Sequence, residues 1–403
     1  MNTRLYAIQC LDRILHQKHK ADSLLDDAPV QETALLHELM YGVLRRVFSL
    51  EADVSRFLKD KPEDFVRAAL LMGAYQIRHM RVPAFAAVHA TVETVKIQRP
   101  KAAGYVNAVL RKVAANEPPK KLKPNQRAEL PQWMFASWRD AFGIEAVQAV
   151  AGAMLIKPEL CLAVFGDLEM WMDEVRGAGF DAGFELREGE LSPHAVLLPS
   201  GMSVLALPGY ETGAFTVMDQ AAQAAVLALP VKAGDTVLDL CAAPGGKAML
   251  LARLHPEATI VAVEKVAARI PRLQENLARV HASNVMVQQG DVTALQFPDN
   301  HADAILLDAP CTASGVLRRH PDAKLLHDKQ DVLRHAKLQK ELLAEALRVL
   351  KPGGQLVYAV CSIHPEENEQ VVECFDGLQS SQRLLPSANH DGFFIARFTK
   401  GEA

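Results

Sequence analysis

The chain has 403 residues, 49% of them hydrophobic and 23% charged, a balance that fits two or three globular domains without disulfide staples. No apolar run approaches the roughly 18 residues of a membrane span, and the charged, amphipathic start does not read as a signal peptide. Six cysteines, scattered at 10, 161, 241, 311, 361 and 374 without CxxC spacing, point to reduced cytoplasmic thiols and to no metal site.

Residues 1–127 predict an all-helical bundle. Leu5, Ile8, Leu11 and Leu15 share one helical face, as do Leu35, Leu39, Val43 and Leu44, and again Val66, Leu70 and Leu71. This stretch carries 21 Lys and Arg against 13 Asp and Glu, whereas the remainder carries 23 against 35. A basic first third on an acidic chain fits a domain that meets a polyanion, or a solvated basic face. The proline-broken run Glu117–Pro124 cannot continue a helix and marks the boundary.

Residues 128–222 predict a linker subdomain. A helical stretch at 131–155 contains Trp133 and Trp138, and short apolar runs follow at Cys161–Phe165 and Ala195–Leu198. From 223 to 403 the pattern changes. Strands are expected at 236–240, 259–264, 285–288, 304–308 and 355–359, between helices at 246–254, 266–281 and 328–350. Such alternation implies a parallel sheet covered on both faces. A last strand at 392–398 is expected to add antiparallel.

The first of these strands runs into Cys241-Ala242-Ala243-Pro244-Gly245-Gly246-Lys247 and then a helix. Ligands of open α/β sheets bind past the carboxyl ends of the strands. Two glycines let a ligand approach the backbone, and the helix N-terminus offers free N–H groups to a carboxylate such as that of S-adenosylmethionine. Glu264 ends the second strand, where a carboxylate can accept ribose hydroxyls. Asp291, after the third, can reach the adenine edge.

The fourth strand ends in Asp308-Ala-Pro-Cys311, the fifth in Val360-Cys361-Ser362. Two thiols at adjacent strand ends beside the cofactor loop suit covalent catalysis on a pyrimidine. Carbon 5 of cytosine is a poor nucleophile until a thiolate adds to carbon 6 and breaks the aromaticity. A second group must then remove the carbon 5 proton, and an acid near N3, for which Asp308 is placed, stabilises the adduct.

These motifs, with Ser314-Gly315 and Pro365-Glu366-Glu367-Asn368, resemble those of the RNA cytosine-5 methyltransferases of the NOL1/NOP2/Sun family. The resemblance implies a Rossmann-like, seven-stranded, mostly parallel S-adenosylmethionine-dependent domain. It implies Cys361 as nucleophile, Cys311 as the residue assisting release, and Asp308 as the residue holding the base. Cofactor contacts would come from Cys241 to Lys247, Glu264, Asp291 and Asp308. The family's Thr before the nucleophile is replaced by Val360. The first domain, through Glu38–Arg45, Leu71–Gln76 and Tyr105–Arg111, is similar to the NusB-like RNA-binding domain of a bacterial branch of the family. That branch implies an enzyme acting on 16S ribosomal RNA, at cytosine 967; the chain is expected to be a monomer and to meet the RNA unassembled or early in assembly.

Candidate RNA-backbone contacts are Arg45, Arg46, Arg78, Arg81, Arg111 and Lys112, with Arg318 and Arg319 beside the active edge. A transfer RNA substrate and a non-enzymatic RNA-binding factor stay open as alternatives. A nicotinamide oxidoreductase would need GxGxxG after the first strand, which is missing, and gives the two cysteines no role.

Overall fold

The computed structural model describes residues 1–26, 28–180, 186–199, 201–294 and 297–402. They form two compact units, one of Met1–Ile156 with Leu317–Lys329, the other of Lys157–Val316 with Gln330–Ala403. No helix among the described residues is long and apolar enough to cross a membrane.

The first unit is helical. Its larger helices are Thr3–Gln17, Thr33–Arg45, Val47–Ser55, Asp64–His79, Ala84–Gln98 and Ala103–Ala115. The first starts where the Asn2 side chain accepts the Leu5 N–H at 3.0 Å, satisfying an otherwise orphan donor. Its buried stripe is Ala7, Ile8, Leu11 and Ile14, so Leu5 and Leu15 lie at the half-buried edges of the predicted face. Helix Asp64–His79 is central, with an unbroken buried run from Ala68 to Gln76. Gly42 lets the Tyr75 ring pack on the helix backbone, because a Cβ there would lie 2.0 Å from Tyr75 Cζ.

Helices Gln132–Phe142 and Ile144–Leu155, read from sequence as part of the linker, pack within this unit and bury Trp138 completely. Glu129, just before them, accepts the Phe48 N–H at 2.9 Å and so caps helix Val47–Ser55, whose own N-cap residue makes no side-chain bond. The returning segment Leu317–Lys329 is tied in by Arg45, which donates to the Arg318 carbonyl at 3.1 Å, and by Lys324, which donates to the Arg45 carbonyl at 3.0 Å.

The second unit holds two sheets. Strands β1 (Leu160–Val164), β2 (Arg187–Glu188), β3 (Ala195–Leu198) and β4 (Phe215–Val217) form an antiparallel sheet in the order β2-β3-β1-β4, backed by helix Leu168–Val175. The large sheet contains β5 (Thr236–Leu240), β6 (Thr259–Glu264), β7 (Val285–Gln289), β8 (Ala302–Asp308), β9 (Leu350–Val360), β10 (Leu378–Leu384) and β11 (Phe393–Thr399). Its order is β10-β11-β9-β8-β5-β6-β7, with β5 to β9 parallel and β11 antiparallel to both its neighbours, β9 and β10. This is the expected seven-stranded Rossmann-like sheet. Strands β5, β6, β8 and β9 read as near-continuous Val, Ile, Leu and Ala because helices cover both their faces. The chain order reverses between β5 and β8, and at that switch point the crevice opens past the strand ends.

Candidate active site

The loop after β5 leaves the sheet through Cys241, whose φ of 66° is left-handed and strained for a residue with a side chain. Gly245 has φ 106° and precedes helix Gly246–Leu254. A Cβ on Gly245 would lie 2.7 Å from Leu273 Cδ1, so glycine is needed here for space as well as for conformation. Behind the loop, the Asp239 carboxyl is fully buried and neither oxygen has a hydrogen-bond partner among the described residues. Burial pushes its pKa up to about 8, against the pull of Lys247.

Glu264 closes β6 with a carboxylate that is 3% exposed. It accepts the Ala243 N–H at 3.2 Å and the Val266 N–H at 2.8 Å, and pairs with Arg269 at 3.3 Å. It therefore links the glycine loop to the turn after its own strand. Asp291 is more open. Lys265 at 2.6 Å holds its carboxyl below the usual range, and it accepts the Thr293 N–H at 3.0 Å. Burial, reinforced by the negative charges of Asp308 and Glu264, pushes the Cys241 thiol up to about 12, which makes it a poor nucleophile.

Lys247 reaches from the glycine-loop helix to the end of β8, where its Nζ lies 2.7 Å from Asp308 Oδ2 and 5.5 Å from the centre of the Phe393 ring. Burial opposes its charge, but Asp308, Asp239 and the Cys361 sulfur hold the ammonium above its ordinary pKa. The two expected active thiols meet here: Cys311 Sγ and Cys361 Sγ are 3.4 Å apart and both are partly exposed. The parallel pairing of β8 with β9, with Asp308 opposite Ala359, sets this juxtaposition.

Further bonds fix the two thiol loops to each other. Gly315 N–H donates to the Cys361 carbonyl at 2.9 Å, and Ile363 N–H donates to Ser314 Oγ at 3.0 Å. Gly315 also lies so close to Gly392 that a Cβ on it would sit 2.2 Å from the Gly392 carbonyl oxygen. Beneath both loops lies Glu367, fully buried. Its carboxylate accepts the Thr312 N–H at 2.9 Å, the Thr312 and Ser362 hydroxyls, and the Gln339 amide at 3.2 Å. Sequence reasoning used Glu367 only as part of a motif. Its one sequence signal is a carboxylate six residues past the second cysteine.

The structure thus brings Asp308, Cys311, Cys361 and Lys247 into one cluster, and sets Glu264 and Asp291 at the ends of β6 and β7. It divides the expected RNA contacts. Arg45 is spent on the Arg318 carbonyl, Arg318 is buried, and Arg78 pairs with buried Asp53 at 2.8 Å while donating to the Val113 and Asn116 carbonyls. These three are structural arginines. Arg46 and Arg319 are half-buried, and Arg81, Arg111 and Lys112 are exposed.

Comparison with known proteins agrees with this architecture. The chain is 34% identical to ribosomal RNA small subunit methyltransferase B of Erwinia tasmaniensis, over 99% of both chains. It is 35% identical to the protein of that name in Cronobacter sakazakii, again over 99% of both. The chain belongs to the RsmB/F family of 16S rRNA methyltransferases. The RsmB/F family model covers residues 226–380, which span β5 to β9 and both thiol loops, and the NusB family model covers residues 1–115. The solved structure of PH0851 shares the fold with a TM-score of 0.81 at 21% identity, over 99% of each chain. RsmB/F membership makes this chain an S-adenosylmethionine-dependent RNA methyltransferase.

Proposed function

We propose that the enzyme methylates carbon 5 of a cytosine in 16S ribosomal RNA through a covalent adduct on Cys361. The observation that carries this reading is the pair of sulfurs 3.4 Å apart, next to an Asp308–Lys247 ion pair at the edge of the cofactor crevice. A methyltransferase acting on an oxygen or an exocyclic nitrogen needs no such pair.

The crevice fits S-adenosylmethionine. A buried carboxyl group with no hydrogen-bond partner among the described residues (Asp239), a glycine turn leading into a helix N-terminus, and two acids at neighbouring strand ends are the groups its amino, carboxylate, ribose and adenine parts require. Residues Cys241 to Lys247, Glu264, Asp291 and Asp308 would hold it. When bound it supplies an electrophilic methyl group.

The chain's own residues do the rest. The Cys361 thiol gives up its proton as its sulfur adds an electron pair to carbon 6; the 5,6 double bond opens, carbon 5 becomes enamine-like, and N3 takes up a proton. Asp308 lies at this edge and would carry that proton to N3, which accepts it. After methylation a base removes the carbon 5 proton, the double bond re-forms, and the carbon 6–sulfur bond breaks with its electron pair returning to Cys361. Cys311, within sulfur contact of Cys361, assists that release. A stacked cytosine must first be flipped out, at a cost of a few kcal/mol. On this reading residues 1–127 grip RNA, 128–222 connect, and 223–403 catalyse. Bisulfite sequencing of total RNA from cells lacking the protein tests the target. One 16S cytosine losing its protection supports the reading. An unchanged 16S pattern with a lost transfer RNA signal would replace it.

A further inference from the structure

Two thiols so close pose a selectivity problem, because either sulfur could attack the ring. We propose that Glu367 is a positioning residue that sets their separate roles, bracing both thiol loops from below and placing its negative charge against the Cys311 side of the pair. The inference rests on the reading that Cys361 is the attacking sulfur.

The geometry is asymmetric. Glu367 takes both the backbone N–H and the hydroxyl of Thr312, which follows Cys311, but only the hydroxyl of Ser362, which follows Cys361. It has no basic partner within salt-bridge distance among the described residues. Its other contact is the neutral amide of Gln339. Burial raises the Glu367 pKa, while the Ser362 and Thr312 hydroxyls, the Thr312 N–H and the nearby His335 work to keep it charged. On the opposite side, the ammonium of Lys247 feels the Cys361 sulfur.

Groups from three further elements face this pair. Cys361 and Tyr358 come from β9 and the loop after it, Asp308 with Lys247 from β8 and the glycine-loop helix, and His335 from helix Lys329–Val349. Cys311 is held well above its ordinary pKa by the hydrogen bond with Cys361, by burial, and by the fields of the Cys361 sulfur and the Glu367 carboxylate. Of these, Glu367 can be removed without touching either sulfur or the cofactor loop. Its charge adds to the three larger effects that keep Cys311 a thiol while Cys361 attacks the ring.

The test is alkylation of Cys311 by iodoacetamide as a function of pH, read by peptide mass spectrometry on the full chain, with neither RNA nor cofactor present. Glu367→Gln keeps an acceptor and the shape but removes the charge. The Cys311 profile should move down by about one pH unit, a roughly tenfold faster alkylation at fixed pH below the midpoint. Glu367→Asp, which retains the charge, should stay near the wild-type profile. A Glu367→Gln profile that coincides with wild type overturns the electrostatic role. Thr312→Val tests the brace in a chain that keeps Glu367. Disulfide formation between Cys311 and Cys361, driven by diamide, should slow several-fold, and an unchanged rate overturns the brace. A failure here leaves any loss of methyl transfer in Cys361→Ala standing, so the two readings fail separately.

Discussion

Asp239 is placed for function at the expense of stability, and Asp239→Asn should expose that conflict. The carboxyl is fully buried, its oxygens have no hydrogen-bond partner among the described residues, and its pKa is pushed up to about 8 by burial. In the unfolded chain it should titrate near 4. Between pH 4 and pH 8 the folded protein therefore keeps a proton that the unfolded chain has released, so stability falls as pH rises across that window and levels off above it. The interval from 4 to pH 7, at about 1.4 kcal/mol per pH unit, makes the penalty on the order of 4 kcal/mol at pH 7. Asparagine does not titrate and escapes it. Urea unfolding of both proteins from pH 4 to pH 9 gives the comparison. Asp239→Asn should gain on wild type progressively between pH 4 and 8, while its affinity for S-adenosylmethionine falls. A stability difference that stays constant from pH 4 to 8 would refute the argument.

Other outcomes follow from packing and charge. Gly42→Ala sets a methyl group 2.0 Å from the Tyr75 ring and should cost about 1–3 kcal/mol in thermal unfolding of the helical unit, whereas Gly104→Ala, with nothing within 4 Å, should not. The exposed Arg81, Arg111 and Lys112 should each add about 0.7 to the salt slope of binding to single-stranded RNA, so the triple Ala variant should flatten the slope by about 2 without loss of stability. Arg78→Ala should act the other way. It leaves the buried carboxylate of Asp53 with one cationic partner fewer and destabilises the fold, a difference that a melting curve separates from a binding defect.

The sequence already carried the proposed catalytic edge. Strands β5, β6 and β8 are apolar runs bounded by acids and turn residues, and helix Gly246–Leu254 begins where the glycines stop, so the strand ends and the thiols on them could be located to the residue. Strand β10 was not legible. Its Leu-Gln-Ser-Ser-Gln-Arg-Leu run is mostly exposed and polar, as befits an edge strand, and lacks the burial signal that reveals a central one. Strand β9 proved longer than expected at its start, where Pro352, Gly353 and Gly354 bulge against β8 and hide the pairing of Leu350 with Ala302.

The arginines show a second limit. Arg45, Arg78 and Arg318 read as surface cations, because sequence cannot display the carbonyls and the buried aspartate that Arg45 and Arg78 satisfy, or the burial of Arg318. The same holds for the segment Leu317–Lys329, which leaves the chain of the second unit just after the Cys311 loop and packs with the first unit, where Asp322 accepts the N–H of Ala21, 301 residues earlier. Glu367 was hidden for a related reason. A carboxylate in a Pro-Glu-Glu-Asn run looks solvated until the two loops that it joins are seen folded over it.

The central claim is that one sulfur bonds to the pyrimidine while the other frees it. Cys311→Ala incubated with S-adenosylmethionine and 16S RNA should accumulate a protein–RNA species that survives denaturing electrophoresis, and adding Cys361→Ala should abolish it. If the adduct persists without Cys361, or never forms when Cys311 alone is missing, the proposed division between the two thiols is wrong.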